Sequence, residues 1–173
     1  SASSYIAQLL YHFAFKKSFW IFFQNKHDQK EFERLKLIPK DKSSILPGSG
    51  VSLKKFAFER KVNKGKRFLF VGRLLGDKGI REFIEAANRL SKEDASLHFN
   101  LVGELGYNNR TAIGKDELNN WLKNKQIKFL GKQDDMVEIL RQHDVMVLPS
   151  YREGLSKSLV EAAAMNLPIV TTD

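Results

Sequence analysis

The chain has 173 residues, no cysteine and a net charge of +9. That length suits one ordinary domain or a piece of two, and the lack of cysteine excludes disulfides, thiolate metal ligands and a cysteine nucleophile. The charge is uneven: residues 1–66 hold 14 Lys and Arg against 5 Asp and Glu, whereas residues 67–173 hold 15 of each. The excess reads either as a solubilising surface or as attraction of the first part of the chain to an anionic partner, an acidic membrane surface or a diphosphate-linked acceptor. No nucleic-acid recognition motif accompanies the charge, so no nucleic acid is expected as a partner.

In chain order, Tyr5–Phe15 carries apolar residues at helical spacing, and Phe19–Phe23 reads as a short buried parallel strand. Asp28 is placed to cap a helix running to about Leu35. Ser44–Pro47 reads as a strand with Gly48–Val51 as its exit turn, and residues 56–66 read as a linker. From there strands and helices alternate: strand 67–71, helix 79–91, strand 97–102, helix 115–125, strand 127–130, helix 134–142, strand 144–148, helix 155–165 and strand 168–172. That order predicts an α/β fold, a parallel sheet with helices on both faces, and ligands bind such sheets beyond the carboxyl ends of the strands. Lys16 and Lys17 interrupt the first apolar region, so no stretch reaches the length of a spanning helix.

Two constellations fall at those strand ends. In the first, the strand Phe68–Val71 runs into Gly72-Arg73 and then Lys78-Gly79 at a helix start. Gly lets a ligand approach the backbone, Arg73 offers a planar fork and Lys78 a point charge, which suits a diphosphate. A plain strand-to-helix connection with basic surface residues would look the same. In the second, Glu153 and Glu161 stand eight residues apart, one on the turn Glu153-Gly154 and one about two turns into the following helix. The amides of Gly154, Leu155 and Ser156 would face an anion there. Taken alone, the pair also fits a solvated helix face.

Together these runs resemble the nucleotide-sugar half of a retaining GT-B glycosyltransferase of glycosyltransferase family 4, also called glycosyl transferases group 1. The resemblance extends from about Ile45 to Asp173 and includes Phe99–Gly103, Ile127–Gly131 and Asp144–Ser150 between the two motifs. Ser52 stands where the family usually has Asp. Glu104 departs from the wider family's turn, and Ala112-Ile113 with Leu118–Trp121 is closer to the subgroup that builds capsular and lipid-linked bacterial glycans. The resemblance implies two Rossmann-like domains. Residues 1–55 would then be the end of the N-terminal acceptor domain, 56–66 the interdomain linker, and 67–173 a nucleotide-sugar domain truncated at its end.

The resemblance also implies roles. Arg73 and Lys78 would hold the diphosphate with amides near Leu155 and Ser156, Glu161 the ribose hydroxyls, and Glu153 the transferred sugar. Base contacts would come from backbone near Gly103 and Gly131 to Gln133, with Gly72 at the diphosphate. Transfer would be to a polysaccharide or lipid-linked acceptor with retention, on the same face and not through a Glu153 glycosyl intermediate. It would need no metal and no cofactor, with a UDP-sugar as the expected donor. A cytoplasmic location, peripheral at the inner membrane face, follows from such acceptors. The competing readings are a non-catalytic sugar-nucleotide-binding half, with the fragment inactive alone, and a GT-B epimerase. Other candidates are structural: His143 at a strand edge, Trp121 on a helix packing face and Asp134 as a helix cap, while His12, His27 and His98 form no ligand spacing.

Overall fold

A computed structural model describes residues 2–39, 41–46, 48, 50–57 and 65–172. The chain divides into two compact units, Ser1–Gly50 and Val51–Asp173. The first contains helix α1 (Ala2–Lys16), strand β1 (Ile21–Phe23), helix α2 (Lys26–Arg34) and strand β2 (Ser43–Ile45). The two strands are parallel, with Ile21 opposite Ser43 and Phe23 opposite Ile45. Ile21, Phe23, Leu37 and Ile38 form a small core, against which Phe32 packs edge-to-face on Phe23 at 5.3 Å. β1 is not the buried run expected of Phe19–Phe23. It alternates buried, exposed, buried, and Phe19 lies before it at 89% exposure. The cap of α2 also differs. Asn25 Oδ1 accepts the Asp28 amide at 2.7 Å, and Asp28 sits inside the first turn, where its charge suits the helix dipole. Pro47 and Ser49 of the expected exit turn lie outside the described residues.

The second unit opens with α3 (Leu53–Phe56), where Ser52 Oγ accepts the Lys55 amide at 3.4 Å and so caps the helix. Phe56, the first residue of the expected linker, is buried in this unit's core, and residues 58–64 lie outside the described residues. There follow β3 (Arg67–Val71), a 3-10 turn (Gly76–Lys78), α4 (Ile80–Glu93), β4 (His98–Val102), α5 (Lys115–Trp121), β5 (Ile127–Phe129), α6 (Met136–Arg141), β6 (Val145–Leu148), α7 (Lys157–Ala164) and β7 (Ile169–Thr171). All five strands are parallel, in the order β5-β4-β3-β6-β7. Strand order reverses at β3, and a sheet of this kind has its ligand crevice where the order reverses.

The sheet forms because its central strands are continuous apolar runs, as burial on both faces requires. Leu69, Phe70, Leu101, Met146 and Leu148 are essentially inaccessible, and α4 packs Ile80, Phe83, Ile84 and Ala87 beneath them. At the amino ends, the buried carboxylate of Asp144 accepts the Lys66 amide at 3.1 Å and the Arg67 amide at 2.9 Å, tying β6 to β3. His143 beside it is also buried. Its Nδ1–H donates to the Ile139 carbonyl at 2.6 Å, and Nε2 accepts from Asn100 at 2.7 Å. The cap of α6 is Asp135, whose Oδ1 accepts the Glu138 amide at 3.2 Å, and not Asp134. Among the described residues, no helix is long and apolar enough to cross a membrane.

Candidate functional site

The carboxyl ends of the central strands are drawn together by backbone hydrogen bonds. The Gly72 amide donates to the Val102 carbonyl and the Gly103 amide to the Gly131 carbonyl, both at 3.0 Å. Only glycine fits at 103, since a Cβ there would lie 1.9 Å from the Gly72 oxygen. Gly79 is under the same constraint twice over. Its φ is +71°, and a Cβ would meet the Pro149 oxygen at 1.9 Å. This close contact joins the turn after β3 to the exit of β6. The Tyr151 amide and the Ser150 hydroxyl both donate to the Asp77 carbonyl, at 3.0 and 3.1 Å.

That junction brings Lys78 to Glu153, 75 residues apart in sequence: Nζ lies 2.5 Å from Oε1, and both side chains are largely buried. Two groups expected from the sequence to meet different parts of a donor thus neutralise one another. α7 begins at Lys157, two residues later than expected. Gly154 and Leu155 therefore lie in the preceding turn and Ser156 at the cap, and the amides left open by helix geometry are those of Ser156, Lys157, Ser158 and Leu159. Ser158 Oγ donates to the Val71 carbonyl at 3.4 Å, which sets this first turn over the end of β3.

Glu161 is 7% exposed, and the ammonium of Lys157, on an exposed side chain, lies 3.7 Å from it. It borders a cavity of about 360 Å³ with Lys55, Gln133, Asp134, Met136, Lys157 and Ser158. A second cavity of about 200 Å³ is lined by Gly72, Arg73, Gly103, Glu104, Tyr107, Lys132, Gln133 and Met136. The two adjoin through Gln133 and Met136. Gly131 leads directly into Lys132 and Gln133. Arg73 is exposed, makes no ion pair among the described residues, and has its guanidinium 5.8 Å from the centre of the Tyr107 ring. Glu153, Lys78 and residues 154–156 line neither cavity. The expected residues thus fall into two groups, one along the cavities and one around the Lys78–Glu153 pair. Lys55, Tyr107, Lys132 and Lys157 were not singled out from sequence. Only the basic residue next to Gly131 offered a local signal.

The profile of the family described as glycosyl transferases group 1 matches residues 65–173, the stretch that carries these glycines, cations and the buried Glu161. The chain belongs to that family. Its fold is GT-B. Similar glycosyl transferases include a Campylobacter jejuni protein named N,N'-diacetylbacillosaminyl-diphospho-undecaprenol alpha-1,3-N-acetylgalactosaminyltransferase, 32% identical across 98% of this chain and 46% of its own length. An Escherichia coli relative, UDP-Gal:alpha-D-GlcNAc-diphosphoundecaprenol alpha-1,3-galactosyltransferase, is 32% identical across 76% of this chain and 37% of its own. The chain therefore spans less than half the length of either. Among solved structures, Anabaena HepE in complex with UDP superposes with a TM-score of 0.73 at 16% identity, over 91% of this chain and 46% of that one.

Proposed function

We propose that this glycosyl transferase chain forms the donor side of an enzyme that moves a sugar from a nucleoside-diphosphate sugar, a UDP-sugar first, to a lipid-linked or glycan acceptor with retention of configuration. The supporting relatives carry diphospho-undecaprenol acceptors in their names. The single observation that carries the reading is a carboxylate as buried as Glu161 facing a cavity bordered by Lys55 and Lys157, beside the cavity of Arg73 and Lys132. Burying a carboxylate is costly unless a partner meets it, and vicinal ribose hydroxyls are donors it can accept.

In the proposed reaction an acceptor oxygen bonds to the anomeric carbon on the face from which the phosphate departs. The carbon–oxygen bond to the diphosphate breaks, and the acceptor's proton passes to the departing phosphate oxygen. Charge develops on the leaving diphosphate, where fixed cations and open helix amides stabilise it most in a site poor in water. Arg73, Lys78 and the first turn of α7 supply these, so the step needs no metal. Lys78 must exchange its bond to Glu153 for the diphosphate, which releases Glu153 to orient hydroxyls of the sugar. In the domain reading, residues 1–50 close the acceptor domain and residues 51–173 bind donor. The protein would work in the cytoplasm at the inner membrane face. The coverage of less than half of each relative favours a second reading, that this stretch binds donor but does not transfer alone.

Titration with UDP distinguishes the roles of the ion pair. Lys78→Ala is expected to weaken UDP binding about tenfold, the usual worth of a charge-assisted contact to phosphate. Glu153→Gln should leave UDP binding unchanged or tighter, because it frees Lys78. Equal losses in both variants would count against the assignment. Sugar transfer by this chain alone would exclude the second reading.

A further inference from the structure

Arg73 stands at the rim of the smaller cavity on a long side chain that makes no ion pair among the described residues, yet it does not stand alone. Its guanidinium lies over the Tyr107 ring, 5.8 Å from the centroid, and the Tyr107 hydroxyl donates to Glu104 Oε2 at 3.1 Å. The ring is therefore held at one edge while its face receives the cation. The loop that carries it is fastened to the loop that carries Arg73 at three points. The Leu74 amide donates to the Glu104 carbonyl at 3.3 Å, the Ile113 amide to the Leu74 carbonyl at 3.0 Å, and the Gly76 amide to the Thr111 carbonyl at 2.7 Å. Leu75 and Ala112 complete an antiparallel bridge between them.

We propose that Tyr107, hooked by Glu104, is a positioning residue that aims the Arg73 guanidinium across the smaller cavity toward the donor's diphosphate. Arginine has several rotatable bonds, and ordering it only on binding costs conformational entropy. A stacked, partly shielded cation meets phosphate with its fork already oriented. Burial and the Glu104 carboxylate raise the tyrosine's pKa, so the ring stays neutral and a donor at physiological pH.

The inference rests on the donor-site reading above, and a double-mutant cycle separates the two. With UDP as the probe in isothermal titration, Arg73→Ala should weaken binding tenfold or more. Tyr107→Ala should weaken it about two- to fivefold, and Tyr107→Phe, which keeps the ring, should lose less. On the Arg73→Ala background, Tyr107→Ala should add nothing, because its effect runs through the arginine. In the unliganded protein, the Arg73 Nε–H resonance should show a ring-current shift that Tyr107→Phe retains and Tyr107→Ala abolishes. A Tyr107→Ala effect that persists without Arg73 would mean the ring touches the nucleotide itself and would overturn the proposal. So would wild-type affinity in Tyr107→Ala, or an unshifted Arg73 resonance. If Arg73→Ala binds UDP as wild type does, the inference fails while the donor site stands on its other residues; if the wild-type chain binds no UDP, the donor-site reading fails instead.

Discussion

At the scale of single residues, buried polar groups sort by whether the fold itself satisfies them. Asp144 and His143 serve the fold: one fastens two strand starts, and the other spends both ring nitrogens on Ile139 and Asn100. Burial, chiefly, holds the His143 pKa below its ordinary value, and nearby Arg67 adds to this while Asp144 opposes it. The unfolded chain takes up this proton near pH 6.5, whereas the folded chain resists until lower pH. The contribution of His143 is therefore present above about pH 6.5 and lost as pH falls from there toward the folded value. Urea unfolding should show stability dropping between pH 7.5 and 5.5, and His143→Gln should flatten that drop. An unchanged pH slope in the variant would contradict the assignment. His143 was legible as structural from its place at a strand edge, directly before Asp144. Tyr107 was not legible, since its meaning depends on a ring reaching Arg73 across 34 positions of sequence.

At the scale of elements, apolar runs bounded by glycine are visible without coordinates, and all nine strands and helices from β3 onward stand where the alternation puts them. Their ends move by a few residues, because ends are set by side-chain caps that compete locally. Asn25 displaces Asp28 and Asp135 displaces Asp134, each by accepting the amide three residues on. The two-residue delay of α7 matters more, because it leaves Gly154 and Leu155 in the turn and runs the open amides from Ser156 to Leu159. The glycines that end β3 and β4 were read as room for a ligand. The structure adds that Gly103 makes room for the Gly72 carbonyl. Gly103→Ala forces backbone apart at the Gly72 oxygen and should cost about 1–3 kcal/mol in urea unfolding, with weaker UDP binding. A neutral outcome in both would show that the two strand ends are looser than they look.

For the whole molecule, charge and apolar exposure fall together in the first 66 residues. The excess of 14 basic over 5 acidic residues lies within residues 1–66, and Phe19, Trp20 and Phe22 are exposed there. Each basic residue near an acidic bilayer contributes about 1 kcal/mol, and aromatic side chains favour the interface. The chain should sediment with vesicles containing phosphatidylglycerol, ignore phosphatidylcholine vesicles, and release in high salt. Equal binding to both vesicle types would leave the charge as a solubilising surface. The division into two units could be anticipated from the family's architecture, but the boundary could not. Phe56 looks like linker in sequence and is core in space.

The central claim is that the carboxyl edge of the sheet is a donor site with Glu161 as its ribose acceptor. Isothermal titration of UDP into the chain and into Glu161→Gln tests it most directly, because the amide keeps the shape and removes the charge. The account predicts measurable UDP binding by the chain, at least tenfold weaker in the variant, with unfolding stability unchanged or raised because a buried charge is gone. Equal affinity in the two proteins, or no UDP binding by the folded chain, would contradict it.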